Sequence, residues 1–250
     1  MTDRILTALP VYNEAVHVPD VLRQVVQYAD DVLVVNDGST DGTLEALKPF
    51  DDRIHVVSHE VNRGYGAALN TAFRYALSHG YDVLVTIDCD GQHQPGLIRE
   101  IAARVDDSAR PVDMVSGSRY LEQFHQNSVA PEDRRRINLQ ITRCLNEKLG
   151  FSITDSFCGF KAYRVASLAD LDITDNGYAM PLQLWVQAAD LNWAVSEFPI
   201  PLVYLDEDRS FGGSLDDAEV RLAHYRDVLN AELARRGMVQ RFTVDCGERA

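Results

Sequence analysis

The sequence predicts an α/β fold with a mainly parallel central sheet flanked by helices. Short apolar runs alternate with longer amphipathic segments through the first half of the chain. The joints between them are short, which suits parallel strands that are connected through helices. Each apolar run also ends in a polar and often glycine-containing loop, so one edge of the sheet should carry the chemistry.

The first half is predicted to contain five strands and four helices. The strands are predicted at residues 5–9, 32–35, 54–58, 83–87 and 114–116. The helices are predicted at residues 18–28, 41–47, 66–78 and 96–105. Because ligands of an open α/β sheet bind outside the carboxyl ends of its strands, the loops after these five strands should build one site.

The second half is less regular. A polar loop at residues 121–131 precedes a helix predicted at 132–149. That helix carries apolar residues four positions apart, which predict a stripe facing the core: Ile137, Ile141, Leu145 and Leu149. Further helices are predicted at 182–189 and 215–236, with a strand at 195–200. The segment 206–217, charged and glycine-containing, is predicted to be a mobile loop.

Composition limits the classes of partner. The formal net charge of −14 opposes any sequence-independent binding of nucleic acid or of an anionic lipid surface. No apolar run approaches the ~20 residues of a membrane-spanning helix, and residues 1–10 do not resemble a signal peptide. We therefore expect a cytoplasmic protein. The four cysteines are scattered without metal-ligand spacing, which favours reduced thiols over disulfides.

The segment IDCDGQH at residues 87–93 places two carboxylates where a strand is predicted to end. Asp88 and Asp90 are two residues apart, so their side chains share one face of the strand. Hard oxygen ligands suit Mg²⁺ or Mn²⁺, which keeps several waters and takes further ligands from a substrate pyrophosphate. The pattern is typical of a nucleotide-sugar site, although a solvated turn with two ordinary acidic residues is the alternative.

Six segments, in this order, carry a resemblance to a known family. They are LPVYNE at 9–14, VVNDGSTDGT at 34–43, NRGYGAALNTA at 62–72, IDCDGQHQP at 87–95, GSRY at 117–120 and DSFCGFKAYR at 155–164. They resemble the family 2 glycosyltransferases of the GT-A fold, particularly the branch similar to dolichyl-phosphate mannose synthase and polyprenyl-phosphate sugar transferases. The resemblance implies one GT-A domain over residues 1–250, with a nucleotide-binding half at about 1–120 and an acceptor half at about 121–250.

The resemblance also implies a nucleotide-sugar pocket in the first half. Pro10 and Tyr12 would shape its wall, and Glu14 would bond the ribose or else only favour the start of a helix. Asp37 matches the family acid that contacts the base, with bracing of its own turn as the alternative. Arg63 and Gly64 match the nucleotide-contact loop, where glycine could otherwise serve only a tight turn.

A second set of residues is expected to bind the donor phosphates and the divalent ion. By resemblance, Asp88 and Asp90 hold Mg²⁺ or Mn²⁺ against the diphosphate of the donor, with Gln92 as a candidate third ligand. The ion would stabilise the departing pyrophosphate as a Lewis acid. Arg119 and Arg209 are the candidate cationic clamps for the same phosphates, because guanidinium pairs with phosphate through two hydrogen bonds.

Asp155 keeps three possible roles. It could be the general base for a hydroxyl acceptor, a brace for the acceptor loop, or a helix cap. A phosphate acceptor is already an anion and needs no base.

We therefore expect an inverting, metal-dependent glycosyltransferase that moves a hexose from a UDP- or GDP-sugar to an acceptor. Polyprenyl phosphate is the leading acceptor, and a saccharide or small-molecule hydroxyl is the alternative. A non-catalytic nucleotide-sugar binding protein is a rival from another class.

Two features qualify the acceptor side. Met180, Pro181 and Gln183 stand where relatives commonly have acidic residues, so the acceptor side is expected to be altered. The arginines at 134–136 begin an amphipathic helix that could touch a membrane surface peripherally. A solvated helix face, with Glu132 and Asp133 as partners, is the alternative.

Overall fold

The computed structural model describes residues 3–106, 111–125, 127–204 and 213–238. Their strands form one sheet in the order β3-β2-β1-β4-β6-β5-β7. The strands are β1 (Ile5–Val11), β2 (Asp31–Asn36), β3 (His55–Ser58), β4 (Val83–Thr86), β5 (Met114–Ser118), β6 (Lys161–Arg164) and β7 (Val195–Pro199). In the described residues β6 is antiparallel to β4 and β5, whereas every other pairing is parallel. The carboxyl ends of the six remaining strands therefore meet at one edge of the sheet.

Helices cover both faces of the sheet. They are α1 (Val18–Tyr28), α2 (Thr43–Leu47), α3 (Tyr65–Ser78), α4 (Ile98–Ala103), α5 (Glu132–Leu149), α6 (Met180–Asp190) and α7 (Ala218–Arg235). The core against one face includes side chains of α1, α2 and α4, and the core against the other includes α3, α5, α6 and α7. Since neighbouring strand residues point to opposite faces, Val34 of β2 enters the first core and Leu33 the second. Burial on both faces explains why these strands are apolar throughout.

Most predicted elements are confirmed. The helices predicted at 18–28 and 132–149 have those bounds in the structure, and the predicted stripe of α5 is buried at Ile137, Ile141 and Leu145. The closing helix and the strand before α7 are present with slightly different ends. The mobile-loop prediction falls largely on residues 205–212, which lie outside the described residues.

Strand β6 was not predicted from the sequence. Its four residues, KAYR, begin and end with a charged residue, so they lack the apolar run that marks the other strands. Lys161 is nevertheless buried, with Nζ donating to Ser116 Oγ at 2.5 Å and lying 5.1 Å from the centroid of Trp185. Only the pairing of β6 with β4 and β5 makes this short segment a strand.

The cysteines differ from the expectation of reduced thiols. Cys89 and Cys158 are buried free thiols, whereas Cys144 of α5 is disulfide-bonded. The expectation is therefore wrong for Cys144. Within the described residues, no helix combines the length and the apolar character needed to cross a bilayer.

A buried carboxylate joins α7 to α6. Glu232, which is 1% exposed, accepts hydrogen bonds from Gln183 Nε2 at 3.1 Å and Gln187 Nε2 at 2.9 Å, and from Arg235 Nε at 2.8 Å. The carbonyl oxygens of both glutamines accept backbone N–H groups from residues 172–175 at 2.7 to 2.9 Å. Gln183 is thus a structural link, because it connects Glu232 of α7 to the backbone at residues 174–175, which leads to the start of α3.

We predict that Glu232→Ala lowers the free energy of unfolding by about 3 kcal/mol, because it leaves buried donors of α6 and Arg235 without their acceptor. Glu219→Ala is the matched control. It also removes a carboxylate of α7 that pairs with an arginine, but the Glu219 side chain is 73% exposed, and we expect a loss within about 0.5 kcal/mol. Urea denaturation of both variants measures the difference. Equal losses of unfolding free energy in the two variants would show that the buried hydrogen bonds of Glu232 contribute no more than an exposed ion pair.

Candidate active site

The loops at the carboxyl edge of the sheet enclose a cavity of about 850 Å³. Its lining contains most residues that the sequence predicted for the site: Pro10, Tyr12, Glu14, Asp37, Gly64, Asp88, Asp90, Gln92 and Arg119. Arg63 is exposed outside the lining, Asp155 is buried behind it, and Arg209 lies outside the described residues. The prediction that these loops build one site is therefore confirmed for the loops after β1, β2, β3, β4 and β5.

The loop after β1 is tied to the loop after β2. The backbone N–H of Asp37 donates to Val11 O at 2.8 Å, and that of Glu14 donates to Thr43 Oγ1 at 3.0 Å. The carbonyl oxygen of Glu14 accepts from Val18 N at 2.9 Å and so begins α1. The start of the helix therefore uses the Glu14 backbone, and its side chain lies in the cavity lining.

Asp37 organises the loop before α3. Its carboxylate accepts the backbone N–H groups of Arg63 at 2.9 Å and Gly64 at 2.7 Å, and His59 Nδ1 lies 2.6 Å from it. Nδ1 must donate in that contact because a carboxylate can only accept. The second ring nitrogen of His59 is 2.9 Å from Thr71 Oγ1 of α3. Asp37 therefore braces the loop before α3, a different loop from its own turn, and it also lines the cavity.

The first turn of α3 is closed by another backbone segment. Asn176 O accepts from Gly66 N at 2.8 Å and from Ala67 N at 3.3 Å. A Cβ at Gly64 would clash with this same oxygen, and Gly64 has a φ of 102° that other residues rarely adopt. The amides of Gly66 and Ala67 are therefore used within the protein rather than by an anion in the cavity.

The Asp88 carboxylate is enclosed on two sides. The hydroxyl of Tyr65, the first residue of α3, donates to Asp88 Oδ1 at 3.0 Å. A Cβ at position 159 would clash with Asp88 Oδ2, so Gly159 provides the space for that oxygen. Burial and the charge of Asp88 raise the pKa of Tyr65 well above its usual range, which keeps the phenol a donor. Asp90 accepts the backbone N–H of Gln92 at 3.0 Å.

The carboxylates suit a divalent ion that is shared with a ligand. Asp88 and Asp90 both line the cavity and supply hard oxygen atoms, the donors that Mg²⁺ and Mn²⁺ prefer. Among the described residues, no three His, Cys, Asp or Glu side chains converge to hold an ion. The donor set therefore fits an ion that takes its other ligands from water and a bound diphosphate, as Mg²⁺ commonly does.

Arg119 and Asp155 form a buried ion pair behind the cavity. Arg119 Nε donates to Asp155 Oδ2 at 2.6 Å and Nη2 donates to Oδ1 at 2.9 Å. Asn138 Nδ2 donates to Oδ1 at 2.8 Å, and the backbone N–H groups of Arg119 and Phe157 each donate at 3.2 Å. Burial opposes the ionisation of Asp155, but the charge of Arg119 and these hydrogen bonds outweigh it and lower the pKa to about 2. Of the three roles left open by the sequence, the contacts favour the brace.

The cavity lining from residue 119 onwards, which we term the distal wall, comes mainly from the second half of the chain. Its residues are Arg119, Tyr120, Arg134, Ile137, Asn138, Phe157, Gly159, Gly177, Tyr178, Pro181, Tyr204 and Tyr225. Phe157 stacks on Tyr225 with centroids 5.0 Å apart, and the Arg134 guanidinium lies 5.9 Å from the Tyr204 centroid. The described part of the distal wall is thus aromatic and cationic, without a carboxylate.

Comparison with known proteins places this arrangement in a family. The model of glycosyl transferase family 2 matches residues 7–172. The chain belongs to this family. It is 33% identical to the undecaprenyl-phosphate mannosyltransferase of Micrococcus luteus over 89% of this chain and 93% of the relative. It is 32% identical to the polyprenol monophosphomannose synthase of Mycolicibacterium smegmatis over 90% of this chain and 87% of the relative.

A solved structure supports the GT-A fold. Glucosyl-3-phosphoglycerate synthase of Mycobacterium tuberculosis, in complex with Mn²⁺, UDP-glucose and phosphoglyceric acid, superposes with a TM-score of 0.70. The match covers 94% of this chain and 80% of that one, at 20% sequence identity. The protein is a GT-A glycosyltransferase, and the family resemblance and fold predicted from the sequence are confirmed.

Of Met180, Pro181 and Gln183, one residue lines the cavity and two are buried. Pro181 lies in the distal wall, whereas Met180 is fully buried and Gln183 bonds Glu232 and the backbone at residues 174–175. Of the three positions that are expected from the sequence to alter the acceptor side, only Pro181 therefore reaches the cavity.

Three residues around Asp88 were missed by sequence reasoning, namely Tyr65, Gly159 and His93. His93 is buried on Phe160, its Nδ1 accepts the Asp88 backbone N–H at 3.3 Å, and its Nε2 is 4.0 Å from Cys158 Sγ. Burial lowers the pKa of His93, but Cys158 and the nearby acids raise it to about 9. Protonation of Nδ1 would break its hydrogen bond with the Asp88 backbone N–H. This hydrogen bond therefore opposes the protonation that Cys158 and the acids favour. The motif IDCDGQH itself contains His93, which was the available signal.

The Asp155 pair makes stability depend on pH in a definite direction. The pKa of about 2 lies below the ordinary value of 3.8, so the pair contributes about 2 kcal/mol above pH 4 and loses it as the pH falls towards 2. We predict that Asp155→Asn is less stable than wild type by at least about 2 kcal/mol at pH 7, and that the gap narrows below pH 4. Denaturation of both proteins across this range measures the gap.

Asp30→Asn is the control, because the Asp30 side chain is 84% exposed in its pair with Arg99. Its gap to wild type should stay within about 0.5 kcal/mol at every pH. A gap for Asp155→Asn that did not change with pH would contradict the assigned pairing.

Proposed function

We propose that this glycosyltransferase is an inverting, metal-dependent enzyme that transfers a hexose from a UDP- or GDP-sugar to a polyprenyl phosphate. The donor would lie along the loops that carry Glu14, Asp37 and Asp88. The acceptor would lie against the distal wall. The nearest alternative keeps the donor chemistry but uses a saccharide or small-molecule hydroxyl.

The observation that carries this choice is the chemistry of the distal wall. Its described residues include two arginines, Arg119 and Arg134, and no carboxylate. A hydroxyl acceptor requires a base to remove its proton as the new bond forms. A phosphate acceptor requires a cationic site and no base, because its oxygen is already ionised near neutral pH.

Asp155 does not supply the missing base in this proposal. It is 0% exposed, its oxygens accept five hydrogen bonds, and its pKa is about 2. A general base works best with a pKa near the operating pH and must reach the proton that it removes. We therefore assign Asp155 to holding the Arg119 side chain at the cavity.

The names of the relatives support the same acceptor. Both the Micrococcus luteus and the Mycolicibacterium smegmatis proteins are named for a polyprenyl-type phosphate or polyprenol product and for mannose. A mannose nucleotide is accordingly the first donor to test. The base of that nucleotide stays open between uracil and guanine.

In the proposed reaction, a phosphate oxygen of the acceptor attacks the anomeric carbon from the side opposite the donor diphosphate. The new carbon–oxygen bond forms as the bond to the diphosphate breaks, and the nucleoside diphosphate leaves with the electron pair. Asp88, Asp90 and Gln92 would hold Mg²⁺ or Mn²⁺, which supplies Lewis-acid stabilisation of that leaving group. Arg134 would orient the acceptor phosphate, together with Arg119, which was predicted from the sequence to bind the donor phosphates. Arg209 would add a further cation at the donor phosphates.

The aromatic residues of the distal wall have a complementary task. Tyr120, Phe157, Tyr204 and Tyr225 present apolar ring surface beside the arginines. Such surface can cover the first isoprene units and exclude water, which would otherwise compete for the sugar. Because this acceptor resides in a membrane, we propose a cytoplasmic protein that contacts the inner face of the membrane peripherally.

The metal assignment predicts that Asp88→Asn and Asp90→Asn each lower turnover by at least ~100-fold, since each loses a charged ligand and leaving-group stabilisation. Turnover is measured with chelator-washed enzyme to which Mn²⁺ is returned, alongside melting curves that show whether the fold is retained. The matched control is the exposed Asp30→Asn variant, with turnover expected to equal that of wild type. Near-wild-type rates for both site variants would exclude these carboxylates as the metal ligands.

The acceptor assignment predicts transfer to a polyprenyl phosphate and none to the polyprenol of the same length. Arg134→Gln should raise the KM for the phosphate acceptor by about 10- to 100-fold and leave the donor KM unchanged, because a charged hydrogen bond contributes about 1.5–3 kcal/mol. Steady-state kinetics with each substrate varied in turn measures both constants.

Arg143→Gln serves as the control on the same helix, since its side chain is 67% exposed in a pair with Glu147. It should leave both constants unchanged. Transfer to the polyprenol but not to its phosphate would overturn the acceptor and leave the glycosyltransferase activity in place.

A further inference from the structure

The contact between Tyr65 and Asp88 joins two motifs that are separate in the sequence. Tyr65 belongs to the segment NRGYG at residues 62–66, and Asp88 to the segment IDCDGQH. The phenol oxygen donates to Asp88 Oδ1 at 3.0 Å, while Gly159 occupies the side of Oδ2. The carboxylate therefore lies between a hydroxyl donor and the Gly159 backbone, with its Oδ1 held by the Tyr65 hydrogen bond.

Tyr65 is itself held firmly. It is the first residue of α3, whose opening amides at positions 66 and 67 donate to Asn176 O. The preceding amide, that of Gly64, donates to Asp37 Oδ2 at 2.7 Å. The Tyr65 ring stacks on Tyr178 with centroids 5.7 Å apart and an interplanar angle of 19°. The hydroxyl thus projects from a fixed position.

We propose that Tyr65 is a positioning residue that fixes the Asp88 carboxylate in the orientation in which it binds the divalent ion. The inference rests on the proposed function, because it concerns the same metal-dependent site. It adds a residue outside the pair of carboxylates and gives the start of α3 a part in metal binding.

The physical reason is the effect of a fixed hydrogen bond on a metal ligand. An aspartate side chain can rotate about its two torsions and turn its carboxylate away from the ion. A hydrogen bond that already fixes the orientation reduces the conformational entropy that is lost when the ion binds. Hydrogen-bond partners of metal ligands typically contribute 10- to 100-fold to metal affinity or activity. The amides of Gly66 and Ala67 in this first turn donate to Asn176 O, and the amide of Gly64 just before it donates to Asp37. Tyr65, and through it Asp88, is therefore tied to the loop after β2.

The test uses Tyr65→Phe, which keeps the ring and its stacking on Tyr178 but deletes the hydroxyl. Tyr75→Phe is the matched control, because Tyr75 lies on the same helix outside the cavity lining. Binding of Mn²⁺ is measured by the electron paramagnetic resonance signal of the free ion, with saturating UDP or GDP present. Nucleotide affinity without metal and the melting temperature are measured in parallel.

We expect Tyr65→Phe to raise the Kd for Mn²⁺ by about tenfold, with unchanged metal-free nucleotide affinity, whereas Tyr75→Phe should match wild type. Unchanged Mn²⁺ affinity in Tyr65→Phe would overturn the inference while the metal site stands. Equal losses of Mn²⁺ and metal-free nucleotide affinity would also overturn it, since they would indicate a general disturbance of the cavity. Failure of wild type to bind Mn²⁺ at all would instead overturn the metal dependence on which the inference rests.

Discussion

A carboxylate that is completely buried must be compensated, and Asp155 is compensated by Arg119, Asn138 and two backbone amides. These partners come from the end of β5, from α5 and from the turn before β6. One charge therefore fixes the relative positions of three segments that together build most of the distal wall. The pair also holds the Arg119 guanidinium at the cavity, where this cation can bind a ligand. Among the described residues of the distal wall, no carboxylate lies beside it that could remove a proton from the ligand.

The opposite side of the cavity is organised by the start of α3. The amides of Gly66 and Ala67 donate to Asn176 O, and the loop just before the helix donates to Asp37, so these amides are not free to bind a phosphate. That differs from α/β sites in which a helix amino end binds the anion directly. In the function that we propose, the diphosphate is bound instead by arginine and by a metal ion that the carboxylates hold.

The two sides are connected through α6 and α7. Glu232 holds Gln183 and Gln187, these hold the backbone at residues 172–175, and Asn176 follows directly to close α3. Gln183 thus has a structural role in this connection. The closing helix, distant in sequence from the nucleotide loops, contributes to the placement of the turn that carries Tyr65.

The sequence by itself determined the parallel α/β order, the bounds of α1 and α5 and the convergence of the loops at one edge. The physical reason is that these features follow from local periodicity and from the rule that parallel strands end on one side. The sequence also pointed to Asp37, Asp88 and Asp90 as residues of the cavity lining, because polar motifs at strand ends can be recognised in the sequence.

The tertiary structure decided what no local pattern could determine. Strand β6 exists only through its pairing with β4 and β5, since KAYR has neither the length nor the apolar run of the other strands. Asp155 became a brace because Arg119, 36 positions away, reaches it in the buried interior. Tyr65 precedes Asp88 by 23 positions and Gly159 follows it much later in the chain, yet both lie against its carboxylate. Burial and contact between distant residues set these roles, and neither quantity is contained in the spacing of residues along the sequence.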